Sequence, residues 1–250
     1  MEVLGIDIGG TGMKGALVNT ITGELVSERF RIPTPASGKP EEMALVFNDI
    51  VKHFNYNGPV GCGFPTIIKH GVCKASGNLH KSWKNKNAKA LFSEASGGLP
   101  VTVINDADAA GYAVMNYGIG KDMPGLVLII TIGTGIGSGV FYNGELLPNF
   151  ELGQFPHKKY GKVETWISKV TRKRENLSYK VWGKRINKYL ELVEIITCPD
   201  HIIIGGGGSN SFDKFKEFIK IDTPVVPTPL GNHAGLIGAA AAALHEAPKD

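Results

Sequence analysis

Short β-branched or apolar runs, each closed by glycine or proline, alternate along the chain with longer segments of helical period. VGCGF (Val60–Phe64), VTVIN (Val101–Asn105) and HIIIG (His201–Gly205) are continuous apolar runs bounded by turn residues, the pattern of buried strands. Helical periodicity covers Glu41–Phe54, Ala107–Tyr117, Ser178–Thr197 and Ala234–His245. In the third of these, Val181, Trp182, Ile186, Tyr189, Leu190 and Val193 form an apolar stripe; Ser178 is placed to cap its start and Pro199 follows its end. Strands alternating with helices predict an α/β protein.

One pattern occurs twice. GIDIGGTGMKGALVN (Gly5–Asn19) and IITIGTGIGSGVFYN (Ile129–Asn143) align at a constant offset of 124, matching Ile6 with Ile130, Ile8 with Ile132, Gly9 with Gly133, Gly15 with Gly139 and Asn19 with Asn143. Both copies resume with Gly-Glu-Leu, at Gly23 and Gly144. Each reads as strand, glycine turn, strand, and the offset is half the chain length, so the repeat predicts two equivalent lobes. The boundary expected is 1–110 for an N-terminal lobe and 111–250 for a C-terminal one, with the last helix free to return to the first lobe. Glycine turns of this kind expose backbone N–H groups that can cradle phosphates, or they serve only tight hairpins.

Composition narrows the class. Glycine is in excess, 33 of 250 residues, and 42% of the chain is hydrophobic, enough to bury a sizeable core. No apolar run is long enough for a membrane span and the N-terminus carries no basic leader, so a cytoplasmic protein without membrane association is expected. Three scattered cysteines without a CxxC pair point to reduced, structural thiols. The formal net charge of +4 conceals a segregation. Thr66–Ser93 and Phe155–Glu191 hold 17 of the 27 cations but 3 of the 23 acids, so they carry +14 and the remainder −10. The densest piece is KVTRKRE (Lys169–Glu175), in which Lys169, Arg172 and Lys173 are expected on one helix side opposite Trp166, Ile167 and Val170. It is a solvated face, a nucleic-acid patch or the seat of a polyanionic substrate. The absence of interleaved aromatics disfavours nucleic acid.

Candidate chemistry falls at strand ends. Asp7 closes the first strand before Gly9, Gly10 and Thr11, where a carboxylate suits Mg²⁺, directly or through water, or else hydrogen-bonds the turn. Thr134 and Gly135 occupy the second turn. Asn105 and Asp106 end a strand where a helix begins: Asp106 either takes a proton from a substrate hydroxyl or caps the helix, and Asp108 suits the helix dipole. GGGGSN (Gly205–Asn210) lacks the GxGxxG form of dinucleotide folds, and either holds a nucleotide or packs strand against helix.

In this order, DIGGTGMKG, GFPTIIKHGVCKASGNLHKSW, NDADAAG, TIGTGIGSGVFYNG, NFELG and IIIGGGGSN resemble the ROK family of sugar kinases, and within it the polyphosphate glucokinases. The resemblance implies an actin-like ATPase (ribonuclease H-like) duplicated fold with two lobes around a cleft. It also implies phosphoryl transfer to the 6-hydroxyl of glucose, and of mannose, with Mg²⁺ and a homodimer. By that resemblance Asp106 is the catalytic base, and Asn78, Asn105, Glu151 and, more weakly, Glu164 contact the sugar. Asp7, Gly9, Gly10, Thr11, Lys14, Thr134, Gly135, Gly206 and Gly207 belong to the phosphate side. The chain departs from the family in carrying ELGQF, with Gln154 in place of a histidine, and in lacking the cysteine-rich motif, so zinc is not expected. Glutamine donates and accepts hydrogen bonds, so it can still hold a sugar. Because the first strand begins near residue 2, no DNA-binding segment is expected ahead of it.

The leading expectation is therefore a glucokinase using inorganic polyphosphate, and ATP as a second donor, with Lys81, Lys84, Lys169, Arg172, Lys173 and Arg174 as a polyphosphate track. The competing readings are a strictly ATP-dependent hexose kinase and a non-catalytic sugar-binding protein.

Overall fold

Glycine alternates with larger apolar residues in the first strands, and this decides how the first unit packs. The computed structural model describes residues 1–245. Strand β1 (Glu2–Gly9) pairs antiparallel with β2 (Gly12–Asn19), to which β3 (Glu24–Leu25) and β4 (Phe30–Ile32) also pair. Helix α1 (Pro40–His53) leads to β5 (Val60–Phe64), parallel to β1. A short hairpin of β6 (Ile68–Lys69) and β7 (Val72–Cys73) and helix α2 (Ala88–Ala95) precede β8 (Val101–Asn105), parallel to β5, and α3 (Asp106–Tyr117) follows at once.

Alternate residues of a strand face opposite sides. On one side Leu4, Ile6 and Ile8 of β1 and Val60, Cys62 and Phe64 of β5 share a core with Met43 and Phe47 of α1 and Phe92 of α2. The rings of Phe47 and Phe92 stack there, with centroids 4.5 Å apart. The other side presents Gly5, Gly61 and Gly63.

The second unit repeats the plan. Strand β9 (Leu126–Ile132) pairs antiparallel with β10 (Ile136–Tyr142), and β10 with β11 (Glu145–Leu147). After the small hairpin of β12 (Pro156–His157) and β13 (Gly161–Lys162) come α4 (Glu164–Ile167), α5 (Lys169–Arg174) and α6 (Tyr179–Thr197). Strand β14 (His201–Gly205) runs parallel to β9, the short helix α7 (Gly206–Ser209) follows, and β15 (Val225–Pro227) is parallel to β14. The sheet orders, β3-β2-β1-β5-β8 and β11-β10-β9-β14-β15, correspond strand for strand. The sequence repeat is thus a repeat of topology. The registers differ: Gly9 pairs with Gly12 across a two-residue turn, whereas Ile132 pairs with Ile136 across three. Gly15 therefore lies opposite Ile6 but its counterpart Gly139 lies opposite Ile129, one place off the sequence correspondence.

Helix α8 (Ala234–His245) returns to the first unit and lies on the glycine side of its sheet. The units are residues 1–113 with the C-terminal helix, and Val114–Asn232. Two expectations are corrected by the second unit. Val181 is off the α6 stripe and 45% exposed; Trp182, Ile186, Tyr189, Leu190 and Val193 are buried. KVTRKRE does not share a helix with Trp166 and Ile167: Ser168, extended at ψ 157°, ends α4 and caps α5 by accepting from the Thr171 amide. Its buried side chain is Thr171, and Val170 is exposed.

A Cβ added at Gly61 would fall 1.8 Å from the Ala239 carbonyl oxygen, and one at Gly5 would fall 2.2 Å from that of Leu236. Gly61→Ala is expected to cost about 3 kcal/mol or more, lowering Tm by roughly 6–12 °C. Gly10→Ala, at a position with no atom within 4 Å and no positive φ, should leave Tm nearly unchanged. Equal Tm values in thermal melts of the two variants would contradict this packing.

Candidate active site

In the first unit the chemistry collects where β1, β5 and β8 end. Asp7 is the parallel partner of Gly63. A Cβ on Gly63 would lie 3.7 Å from the Gly235 carbonyl oxygen and 3.8 Å from the Asp106 Cα, so Asp7 and Asp106 flank one glycine. Asp7 also faces Lys14, its partner on β2, and Lys14 faces Arg31 on β4. Directly opposed residues share a sheet face, so a carboxylate and two cations form a row beside the first glycine turn. The Asp7 Oδ2 to Lys14 Nζ distance is 3.3 Å. Arg31 Nη2 donates to the Thr11 carbonyl (2.7 Å), and the Thr34 hydroxyl donates to that of Gly9 (2.6 Å).

These glycines divide by cause. A Cβ at Gly12 would fall 2.5 Å from Arg31 Nε, so glycine there leaves room for the arginine that holds the turn. Gly135 likewise leaves room for Glu164, whose Oε2 would be 2.5 Å from a Cβ there. Gly10 and Gly133, one in each turn, have neither a close neighbour nor a positive φ. Nothing inside the protein demands glycine at either position, which favours close approach of a ligand over a merely tight hairpin. Gly10 borders a polar recess of about 270 Å³ shared with Thr34, Ser37, Asn78 and His80.

Asn105 and Asp106 do different work. The Asn105 amide oxygen accepts from the Ala107 and Asp108 amides at 2.8 and 3.2 Å, and its nitrogen donates to the Thr66 carbonyl at 3.2 Å. Asn105 thus caps α3. Asp106 is exposed at the helix start and Asp108 is buried.

In the second unit, Gln154, Lys162 and Glu164 form a chain of contacts. Lys162 Nζ donates to the Gln154 amide oxygen at 3.2 Å and is ion-paired with Glu164. Glu164 Oε2 accepts from the Ile136 amide at 3.4 Å, so its carboxylate braces the second turn. Burial, and then the charge of Glu164, push the Glu151 carboxyl above its usual range, with Lys162 opposing. Thr134 is exposed at the turn tip, and Gly206, at φ 64°, begins α7 beside the Ile132 backbone. Of the cationic residues, Lys81 and Lys84 are exposed in the first unit, and Lys169, Arg172, Lys173 and Arg174 belong to the second. Arg174 is paired with Glu175 at 3.2 Å.

Arg31 and Lys162 were not legible as site residues. Each sits on a strand of two or three residues outside any motif: Arg31 reaches the first turn through the pairing of β4 with β2, and Lys162 meets the second through its ion pair with Glu164.

Residues 3–154 match the ROK family. The chain is 40% identical over 242 residues to the polyphosphate glucokinase of Mycobacterium tuberculosis (strain CDC 1551 / Oshkosh), covering 96% of this chain and 90% of the relative. It is 37% identical over 239 residues to that of Mycobacterium leprae (strain TN), covering 95% and 73%. Among solved structures it superimposes on the inorganic polyphosphate/ATP-glucomannokinase of Arthrobacter sp. strain KM with a TM-score of 0.90, at 41% identity over 98% of both chains. The duplicated sheets with glycine hairpins are the actin-like ATPase fold. The chain belongs to the ROK family.

Arg31→Met removes the donor to the Thr11 carbonyl. Amide exchange at Gly10–Gly12 should quicken with a global stability loss of about 1 kcal/mol or less, read by hydrogen–deuterium exchange and thermal melts. Unchanged exchange would show that Arg31 does not hold the turn.

Proposed function

We propose that this protein is a sugar kinase that transfers a phosphoryl group from inorganic polyphosphate, and also from ATP, to the 6-hydroxyl of glucose, with mannose as a second acceptor. The observation that carries the reading is the 40% identity to polyphosphate glucokinases across nearly the whole chain. It is joined by two open glycines, one at each hairpin turn, and an exposed Asp106 at a strand end.

In this reading Asp106 accepts the proton of the sugar hydroxyl as that oxygen attacks phosphorus. Asn105 positions it by fixing the first turn of α3. Asn78, Glu151 and Gln154 bind sugar hydroxyls, and Glu164 acts from behind, bracing the donor turn. The amides of Gly9, Gly10 and Thr11 and of Thr134 and Gly135, with Lys14, neutralise donor phosphates; Gly206 and Gly207 flank them. Kinases of this kind use a divalent metal, usually Mg²⁺, to neutralise charge on the transferring phosphoryl group. Asp7 fits that ion, since Mg²⁺ commonly takes one or two carboxylates together with phosphate oxygens and water. Its second carboxylate oxygen, Oδ1, faces the Gly235 backbone rather than Lys14. The same reading makes the protein a homodimer.

Asp106→Asn should lower kcat by about 10²–10⁴-fold with Tm and glucose binding unchanged; retained turnover would remove Asp106 as base. A long polyanion feels more cations than a nucleotide does, so added salt should raise KM for polyphosphate more than KM for ATP. Equal salt dependence for the two donors would count against the cationic track. Because its pKa is raised, Glu151 protonates at higher pH than an ordinary glutamate, and activity that needs its carboxylate fails early as pH falls. Glu164→Gln removes the like charge, so the acidic limb of kcat/KM should move to lower pH; a limb that stays put contradicts the coupling.

A further inference from the structure

Lys169 joins two glycine loops of the second unit. Its amide donates to the Gly133 carbonyl (3.0 Å) at the hairpin turn, and its Nζ donates to the Gly207 carbonyl (3.1 Å). A Cβ at residue 207 would press on that ammonium group at 3.0 Å. Farther along α5 the Arg172 guanidinium lies over the Tyr179 ring, 3.8 Å from its centroid, and 5.7 Å from the centroid of Trp182. Lys214 Nζ is 5.3 Å from the Tyr179 centroid. The Ser211 hydroxyl, and then the charges of Arg172, Lys214 and Lys169, hold the Tyr179 hydroxyl below its usual range.

Arg172 and Lys214 therefore converge on one phenol, Lys169 stands between the Gly133 and Gly207 loops at the start of the same helix, and among the described residues none of the three is ion-paired with a carboxylate. The nearby acids are engaged elsewhere. Glu175 is held by Arg174, Arg185 and Tyr160, and Asp213 by Lys216. Arg172 Nε is buried without a hydrogen-bond partner. Gathering like charges in one place is unfavourable unless an anion lies among them. Arg172 covers one face of the Tyr179 ring, which leaves that face closed to a stacked purine.

We propose that Lys169, Arg172 and Lys214 around Tyr179 form a subsite for the distal phosphates of a linear inorganic polyphosphate whose leading end lies at the Gly133 turn. This rests on the donor reading above and narrows it. Arg174 is excluded by its pairing with Glu175, and Lys214, some forty residues downstream of KVTRKRE, is added.

The test is steady-state kinetics of the full chain with long-chain polyphosphate, tripolyphosphate and ATP, for the wild type, Lys214→Ala, Arg172→Gln and Lys214→Arg. Losing one charge-assisted contact should raise KM for the long chain about tenfold in Lys214→Ala and Arg172→Gln, and Lys214→Arg should restore most of it. KM for tripolyphosphate should change less than twofold. A uniform rise for all donors, a rise for ATP alone, or no change would each overturn the subsite. Calorimetric titration with long-chain polyphosphate separates the two layers. If the wild type turns over no polyphosphate, the donor reading falls. Weaker binding to Lys214→Ala would then still support the subsite, and equal binding would overturn it.

Discussion

The structure of the first unit depends on how closely helix α8 lies on its sheet. Backbone can approach backbone at this distance only where Cβ atoms are missing, and Gly5, Gly61 and Gly238 remove them at the contacts with Leu236, Ala239 and Ala109. The alanine run of α8 supplies the matching small surface. The arrangement also sets the chemistry: Asp7 emerges on the α8 side of β1, against Gly235, and Gly63 separates it from Asp106. A larger side chain at any of these glycines would move a helix and with it the spacing of two carboxylates.

The second unit uses the same hairpin but holds it differently. In the first unit Arg31 and Thr34 grip the turn through its carbonyl groups. In the second a carboxylate, Glu164, grips an amide, and it is itself tied through Lys162 to Gln154. The extra residue in the second turn and the shift of its register accompany this change. In the proposed reaction, one chain of contacts links a sugar-binding position to a donor turn, and Gln154 enters it through an amide oxygen that accepts from a lysine.

Much of this was legible in the sequence because it rests on local signals. The apolar runs gave β5, β8 and β14, the Ser178 cap gave the start of α6, and the offset repeat anticipated matching sheet orders. The ordered glycine motifs gave the family. What was hidden depends on long-range pairing. Arg31 reaches the first turn only because β4 pairs with β2, and Lys214 meets Arg172 only through Tyr179. Asn105, the last residue of β8, caps α3 through an amide oxygen that accepts from the Ala107 and Asp108 amides. KVTRKRE misled as a single helical face because the break at Ser168 separates it from Trp166 and Ile167.

The central claim is transfer of a phosphoryl group from an inorganic chain to a sugar hydroxyl. Phosphorus-31 NMR of the purified protein with glucose, Mg²⁺ and polyphosphate as sole donor, free of nucleotide, tests it most directly. The account predicts a growing phosphomonoester resonance at the sugar 6-position as the internal polyphosphate signal declines. A spectrum that stays unchanged until ATP is added would contradict it.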